Sequence, residues 1–320
     1  DGLTADMANA GADVAFAKLE HHPAVGATFG MFSAGAPHVL PADQRAEEAY
    51  SAVFTGPMLT EPLEILGRPR VMLRVDSAAE VITFAARLCE VAPDGSSALV
   101  TKGVLNATHR DSHSDPAPLV PGEPYDLTIE LDATSWRFAP GHRLRLSISN
   151  ADFPNMWPAP TLATSRIHLG GEEGSRLVLP VVPEPGEPLP APTFAPSPFP
   201  IEDDPWPAPE SWVVARDLML GRTTLTFEGH SSSEPDAGYV MESSTVAAAS
   251  VDERNPAHAW MRGHKTDRYR WPGQTIELRS HGLIASTEDA FNVTLHVAIT
   301  VDELPHFERR WVASFPRRLQ

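Results

Sequence analysis

The side chains best able to do chemistry in this chain are 13 histidines, 42 carboxylates and a single cysteine. Their densest grouping is His109-Arg110-Asp111-Ser112-His113-Ser114-Asp115. On an extended strand alternate side chains share a face, so His109, Asp111 and His113 would point the same way. Two imidazoles with a carboxylate suit zinc or a similar ion. The same spacing fits a polar hairpin or strand edge whose side chains stand in water. That reading is adopted, and neither a metal nor a cofactor is expected. His21-His22 is an adjacent pair in a loop, a weaker metal candidate still. Glu47-Glu48 and Glu172-Glu173 read as solvated charges rather than paired catalytic carboxylates. Glu202-Asp203-Asp204 could attract a cation, but its spacing is not that of a calcium loop. Cys89 falls in a strand-like run, Phe84 to Val91, and reads as a small buried hydrophobe rather than a nucleophile.

A serine nucleophile of the α/β-hydrolase type needs a Gly-x-Ser-x-Gly elbow between a strand and a helix. Gly95-Ser96-Ser97-Ala98-Leu99 shares only its first half and sits at a turn. Ser33-Ala34-Gly35 lacks the first glycine. The strand–helix alternation of such a fold is also missing. No catalytic residue is therefore assigned. Trp136, Phe138, Phe153 and Trp157 gather around two loops, and Trp260, Trp271 and Trp311 lie further on. Large aromatics of this kind read as core or interface rather than as a sugar platform.

The elements that must hold these residues are strands. The chain has 320 residues, 42% of them apolar, with 32 prolines and 21 glycines. That composition suits many short strands separated by turns. Arg70 to Val75, Tyr125 to Leu131 and Arg143 to Ser149 alternate at period two. Pro93-Asp94-Gly95 joins Phe84–Val91 to Leu99–Leu105 as a hairpin, and Pro140-Gly141-His142 is a second turn. An Ala-rich stretch, Ala5 to Leu19, is compatible with a helix. Eleven prolines fall between Pro183 and Pro209. They mark an extended segment that is either a free linker or a strap on the surface, anchored by Phe194, Phe199 and Trp206. Beyond it strands are expected at Trp212–Arg216, Thr223–Phe227, Tyr239–Ser244, Thr275–Ser280, Phe291–Thr300 and Phe307–Ala313, forming an antiparallel meander.

The resulting division is a connecting segment over 1–45, a sandwich over 46–183, a Pro-rich linker over 184–209 and a second β-domain over 210–320. The formal net charge of −17 opposes binding to nucleic-acid phosphates. No apolar run reaches the ~18–20 residues that span a bilayer. Asp1-Gly2-Leu3 carries neither an initiator Met nor a signal-peptide pattern, so the chain is read as starting inside a longer protein. One cysteine leans weakly towards the cytoplasm.

Several ordered segments resemble one family. They are Pro41-Ala42-Asp43-Gln44-Arg45, Thr60-Glu61-Pro62-Leu63-Glu64-Ile65-Leu66-Gly67, Phe84-Ala85-Ala86-Arg87-Leu88, and above all Ala133 to Leu146 followed by Ser149-Asn150-Ala151-Asp152-Phe153-Pro154-Asn155. Together they resemble the C-terminal region of CocE/NonD hydrolases, relatives of the X-Pro dipeptidyl-peptidases of the S15 peptidase group. The resemblance covers roughly residues 41–182. The end of the chain, Phe307-Glu308-Arg309-Arg310-Trp311 with Phe315-Pro316-Arg317, is similar to an extra region in one branch of those hydrolases. One departure stands at Val81-Ile82-Thr83, where family members often carry Asp-Thr-Asp.

The resemblance implies an all-β chain: a jelly-roll β-sandwich of galactose-binding-like fold, then a second antiparallel β-sandwich or barrel. It implies a non-catalytic module, inactive alone, that packs on an α/β-hydrolase domain outside this sequence, shapes its pocket and helps homo-oligomers form. His142, Asp152, Phe153, Asn155 and Trp157 are the residues expected at a pocket rim or interface. The alternative left open is a stand-alone carbohydrate- or ligand-binding sandwich.

Overall fold

The computed structural model describes residues 3–6, 16–28, 43–170, 174–183, 193, 195, 211–234 and 238–320. The chain begins with β1 (Leu3–Asp6), β2 (Phe16–Glu20) and the short helix α1 (Arg45–Glu48). There follow β3 (Ala52–Met58), β4 (Leu63–Gly67), β5 (Arg70–Ser77), β6 (Thr83–Val91) and β7 (Ser97–Asn106). After a 3-10 turn at Ala107–His109 come β8 (Tyr125–Glu130), β9 (Thr134–Phe138), β10 (Arg143–Ser149), β11 (Thr164–His168) and β12 (Arg176–Leu179).

Two antiparallel sheets face each other. In the first, β5 pairs with β8 along one side; along the other it pairs with β12 over its first half and β11 over its second. β1 extends this sheet from β12, and β2 extends it from β11. The second sheet runs β3-β10-β6-β7, and β4 and β9 form a separate pair. Val71, Leu73, Val75, Leu127 and Ile129 from one sheet meet Phe84, Ala86, Leu88, Leu146 and Ile148 from the other in one core. This is the sandwich that the alternating sequence implies, with side chains of alternate parity turned inward.

The helix expected over Ala5 to Leu19 is not formed where those residues are described. Leu3–Asp6 and Phe16–Glu20 are strands. Pairing with β12 and β11 satisfies their backbone groups and outweighs the helix propensity of alanine. The first 45 residues thus add two strands to the sandwich rather than merely leading into it. Glu47 and Glu48, expected in solvent, are 5% and 9% exposed. Both are buried because they are hydrogen-bonded: Glu47 accepts from the Gly26 amide and Glu48 from the Ser97 hydroxyl at 2.5 Å. Glu48 also pairs with Arg145 at 2.6 Å. Cys89 is fully buried, and desolvation pushes its thiol up to about 12, as a packing role demands. The hairpin at Pro93-Asp94-Gly95 and the turn at Gly141 form as expected, each with glycine at positive φ.

The Pro-rich segment apart from Thr193 and Ala195, together with Glu172-Glu173, Glu202-Asp203-Asp204, Phe194, Phe199 and Trp206, lies outside the described residues. Beyond them β13 (Ser211–Asp217), β14 (Arg222–Ser233), β15 (Val240–Asp252), β16 (Ala259–Trp271), β17 (Gln274–Ser286), β18 (Ala290–Val301) and β19 (Leu304–Pro316) form one seven-stranded meander in sequence order. Six of these strands were expected. β16 was not, because Arg262, Lys265, Asp267, Arg268 and Arg270 interrupt its apolar pattern. Among the described residues no helix is long and apolar enough to cross a membrane.

One close approach ties the two sheets of the sandwich. Gly103 on β7 lies against the end of β8, and a Cβ there would fall inside contact distance of the Glu130 carbonyl. The Thr101 hydroxyl donates to the Asp132 carbonyl at 2.7 Å, and the Asp132 amide to the Lys102 carbonyl at 2.9 Å. Neither backbone can retreat without losing these bonds. Gly103→Ala is expected to destabilise the chain by about 1–3 kcal/mol, read as a lower urea midpoint at unchanged m-value.

Candidate functional site

The site begins with two cations opposed across neighbouring strands. Arg87 on β6 and Lys102 on β7 are register partners and point into the protein, at 0% and 5% exposure. Like charges directly opposite one another repel. Asp152, 1% exposed, lies between them, accepting from the Arg87 guanidinium at 2.9 Å and the Lys102 ammonium at 2.7 Å. Arg87 also donates to the Ser149 hydroxyl at 3.0 Å. Desolvation draws the Lys102 ammonium below its usual range, opposed by Asp152.

Asp152 thereby fixes the loop that leaves β10. The Phe153 amide donates to the Val25 carbonyl at 2.8 Å, and the Met156 amide to the Asp152 carbonyl at 2.9 Å. Gly26 is at φ +105°, and a Cβ there would lie 2.7 Å from the Phe153 carbonyl oxygen, so only glycine permits this approach. Phe153 is buried with Ala27, Ala249, Val251 and Ala259, which joins the loop to the meander. Trp157 donates from its indole to the Ser286 hydroxyl at 2.8 Å and meets the Phe291 ring edge-on at 5.5 Å. Arg317, near the C-terminus, donates to the Pro158 carbonyl. Asn155 is half-buried in the same loop.

Asp152, Phe153, Asn155 and Trp157 are thus brought together in one loop. His142 is held elsewhere. It lies at the β9–β10 turn with Nδ1 2.9 Å from Glu90, whose carboxylate also accepts from the Trp136 indole at 2.9 Å and the Ala139 amide at 2.8 Å. The four aromatics read as one group divide accordingly. Phe138 is in the sandwich core, Trp136 packs on its edge, and Phe153 and Trp157 face the meander.

His109 and His113 approach each other, Nδ1 to Nδ1 at 3.3 Å, while Asp111 turns outward, 83% exposed, beside Arg110. The segment is a 3-10 turn followed by bends, not a strand, so the three side chains do not share a face. Among the described residues no group of three or more His, Cys, Asp or Glu side chains is placed to hold a metal ion.

A cleft of about 280 Å³, missed by the sequence reasoning, opens between the sandwich and the meander. His22, Ala24, Tyr50, Val214, Arg216 and Glu253 line it. Arg216 donates to the Tyr50 hydroxyl at 2.9 Å and grips Glu253 through two nitrogens. Burial works against the Glu253 charge, but the Arg216 and Thr223 hydrogen bonds hold its carboxyl below the usual range. The His22 ring packs on Tyr50 at 4.9 Å, and desolvation lowers its pKa. Its walls come from the chain after β2, the turn just past α1 and the meander, far apart in sequence, so only adjacency in the fold reveals the cleft. The arrangement is one of binding: a largely apolar wall beside a fixed ion pair.

Residues 3–178, more than half of the chain, match the family described as the X-Pro dipeptidyl-peptidase C-terminal non-catalytic domain. The chain belongs to this family. A Mycobacterium bovis protein described as a serine esterase is 35% identical over 163 residues, covering 45% of this chain and 26% of that protein. The cocaine esterase of a Rhodococcus species is 32% identical over 158 residues, covering 44% of this chain and 28% of the esterase. The chain therefore spans about a quarter of the length of these curated relatives. Among solved structures, an α-amino acid ester hydrolase aligns over 54% of this chain and 33% of its own at 22% identity and a TM-score of 0.47. The X-Pro dipeptidyl-peptidase C-terminal domain accounts for the sandwich, and the meander lies beyond the matched residues.

Two tests address how this domain is held. Asp152→Asn leaves Arg87 and Lys102 buried and opposed, and is expected to cost about 3–5 kcal/mol in chemical denaturation. The second concerns His21, which donates from Nδ1 to the Thr161 carbonyl at 3.0 Å and whose pKa burial lowers to about 4. The unfolded chain binds this proton near pH 6.5 and the folded chain only near pH 4. The stability held by neutral His21 is thus fully present above pH 6.5 and lost as pH falls towards 4. It amounts to about 3 kcal/mol. Unfolding free energies of the wild type and His21→Gln, measured from pH 7.5 to 4, should converge by that amount.

Proposed function

We propose that this chain is the C-terminal accessory region of a CocE/NonD-type serine hydrolase. It packs on an α/β-hydrolase domain of the same protein and shapes one wall of that domain's pocket. The observation that carries this reading is the match of residues 3–178 to a family defined as non-catalytic. The sequence of this chain, which carries no Gly-x-Ser-x-Gly elbow, agrees with it. In the assembled enzyme a serine would attack an ester or amide carbonyl, and water would release the acyl group. This chain supplies shape to that reaction. His142, about a quarter exposed at a turn held by Glu90, is assigned to the pocket rim. Phe153 and Trp157 are assigned to the interface, where they face the meander. Homo-oligomer formation through the same protein is part of the reading.

A second reading, a ligand-binding sandwich acting alone, is favoured by the cleft beside Tyr50 and Arg216. It predicts a raised Tm with a small ligand in a thermal-shift screen of the isolated chain. The accessory reading predicts no such ligand and no hydrolysis of p-nitrophenyl butyrate. It also predicts an elbow serine in the few hundred codons upstream of Asp1. Turnover by the isolated chain that a serine-directed phosphonate blocks, or an upstream sequence without the elbow, would overturn it.

A further inference from the structure

The meander carries a row of imidazoles that the accessory role does not use. In the antiparallel register Val246, His264, His281, His296 and Arg310 stand side by side on β15 to β19. Three adjacent strands therefore place a histidine on the same face at the same level. His264 and His281 turn their Nδ1 atoms towards each other at 3.2 Å, with ring centroids 4.1 Å apart and planes nearly perpendicular. His296 is the next ring, 6.1 Å from His281, and its Nε2 lies 2.9 Å from Glu308.

We propose that His264 and His281 form a two-imidazole site for a divalent transition-metal ion, Cu(II) or Zn(II), with His296 as its neighbour one strand away. Two metal–nitrogen bonds of about 2.0–2.1 Å at a tetrahedral angle set their nitrogens roughly 3.3 Å apart. The sheet already holds that spacing. The backbone ladder fixes both Cα positions, so little ordering remains when a metal binds. Imidazole is also the ligand type that copper and zinc prefer among those present. The His281 side chain is exposed, so water can complete the coordination shell. The Arg262 guanidinium lies over the Trp260 ring at 4.9 Å, and Arg310 closes the row beyond His296. Glu308 beside His296 supplies the nearest countercharge. No redox step is assigned to the site.

The row four residues along the same strands makes a contrast. There Glu242, Arg268 and Glu277 alternate in sign across three strands and neutralise one another. The histidine row has no such alternation, and a cation between His264 and His281 would give their facing nitrogens a common partner.

The test uses the full 320-residue chain and Cu(II) or Zn(II) alone. Because His109 and His113 form a second imidazole pair, it is run in a His109→Gln/His113→Gln background. Calorimetry should give one equivalent of Cu(II) bound, and electron paramagnetic resonance should show at least two nitrogen donors. His264→Gln and His281→Asn should each weaken binding by more than about tenfold, with unchanged far-ultraviolet circular dichroism. The nitrogen count on the unsubstituted sheet guards against a variant that merely misfolds. No binding in the background chain, or binding that both single variants leave intact, would overturn the proposal. The facing nitrogens would then be a hydrogen-bonded pair only.

Discussion

Asp152 is the residue on which the arrangement of this protein turns. Its carboxylate separates two buried cations that the β6–β7 register places directly opposite each other. Burying any of these charges alone would cost several kcal/mol. Together they are tolerable only if the carboxylate arrives at one position and orientation. That requirement fixes the first residues after β10, which fix Phe153 against Val25 and Gly26. The same loop then delivers Phe153 and Trp157 to the meander. A buried polar constraint on the outer face of the second sheet thus decides where the apolar contact surface sits.

The parts of this fold that are legible in the sequence are those where one local rule acts without competition. Arg143 to Ser149 alternates cleanly because one face of β10 is core. The glycines of the Gly95 and Gly141 turns announce themselves because positive φ excludes most other residues. Legibility fails where partners distant in sequence decide the outcome. Ala17 and Leu19 lie in β2 because β11 offers a ladder to pair with. Glu47 is buried because the Gly26 and Thr28 amides, about twenty residues earlier, converge on its carboxylate. β16 hides because its polar residues are satisfied by neighbouring strands: Arg268 pairs with Glu277, and Arg270 with Glu242. The loop residues Asp152 to Trp157 could be singled out from the sequence. Their partners, Arg87, Lys102 and Ser286, could not.

The sandwich and the meander are stabilised differently. The sandwich buries a continuous core between two sheets, whereas the meander buries Leu225, Ala249, Val251 and Ala259 only towards the end that meets the sandwich. Along the rest of its length most side chains are half-buried or exposed, and β19 is exposed at every position but Ala313. There the ladder hydrogen bonds and cross-strand pairs carry the stability, each contributing roughly 0.2–1 kcal/mol. Arg268 opposite Glu277, and Tyr239, Tyr269 and Trp271 in mutual ring contact, are pairs of this kind.

Such a sheet depends on its docked end, and that end is built reciprocally. The family-matched sandwich supplies Ala27, Phe153 and Trp157; the meander supplies Ala249, Val251, Ala259 and Ser286. The C-terminal tail then returns to the sandwich. The Leu319 carbonyl accepts from the Asn106 side-chain Nδ2 at 2.8 Å and the Thr108 hydroxyl at 3.1 Å, while buried Arg317 reaches Pro158, Ala257 and Thr287. Arg317 donates to backbone oxygens of Pro158, Ala257, Thr287 and Gln320, so its buried charge is best stabilised while these segments stay in place. Displacing the meander would strand that guanidinium and expose Phe153. Displacing the loop would leave the meander without its apolar end. The Asp152 ion pair and the C-terminal tail therefore hold one joint from opposite sides, and the added region is coupled to the family domain through the geometry of a single loop.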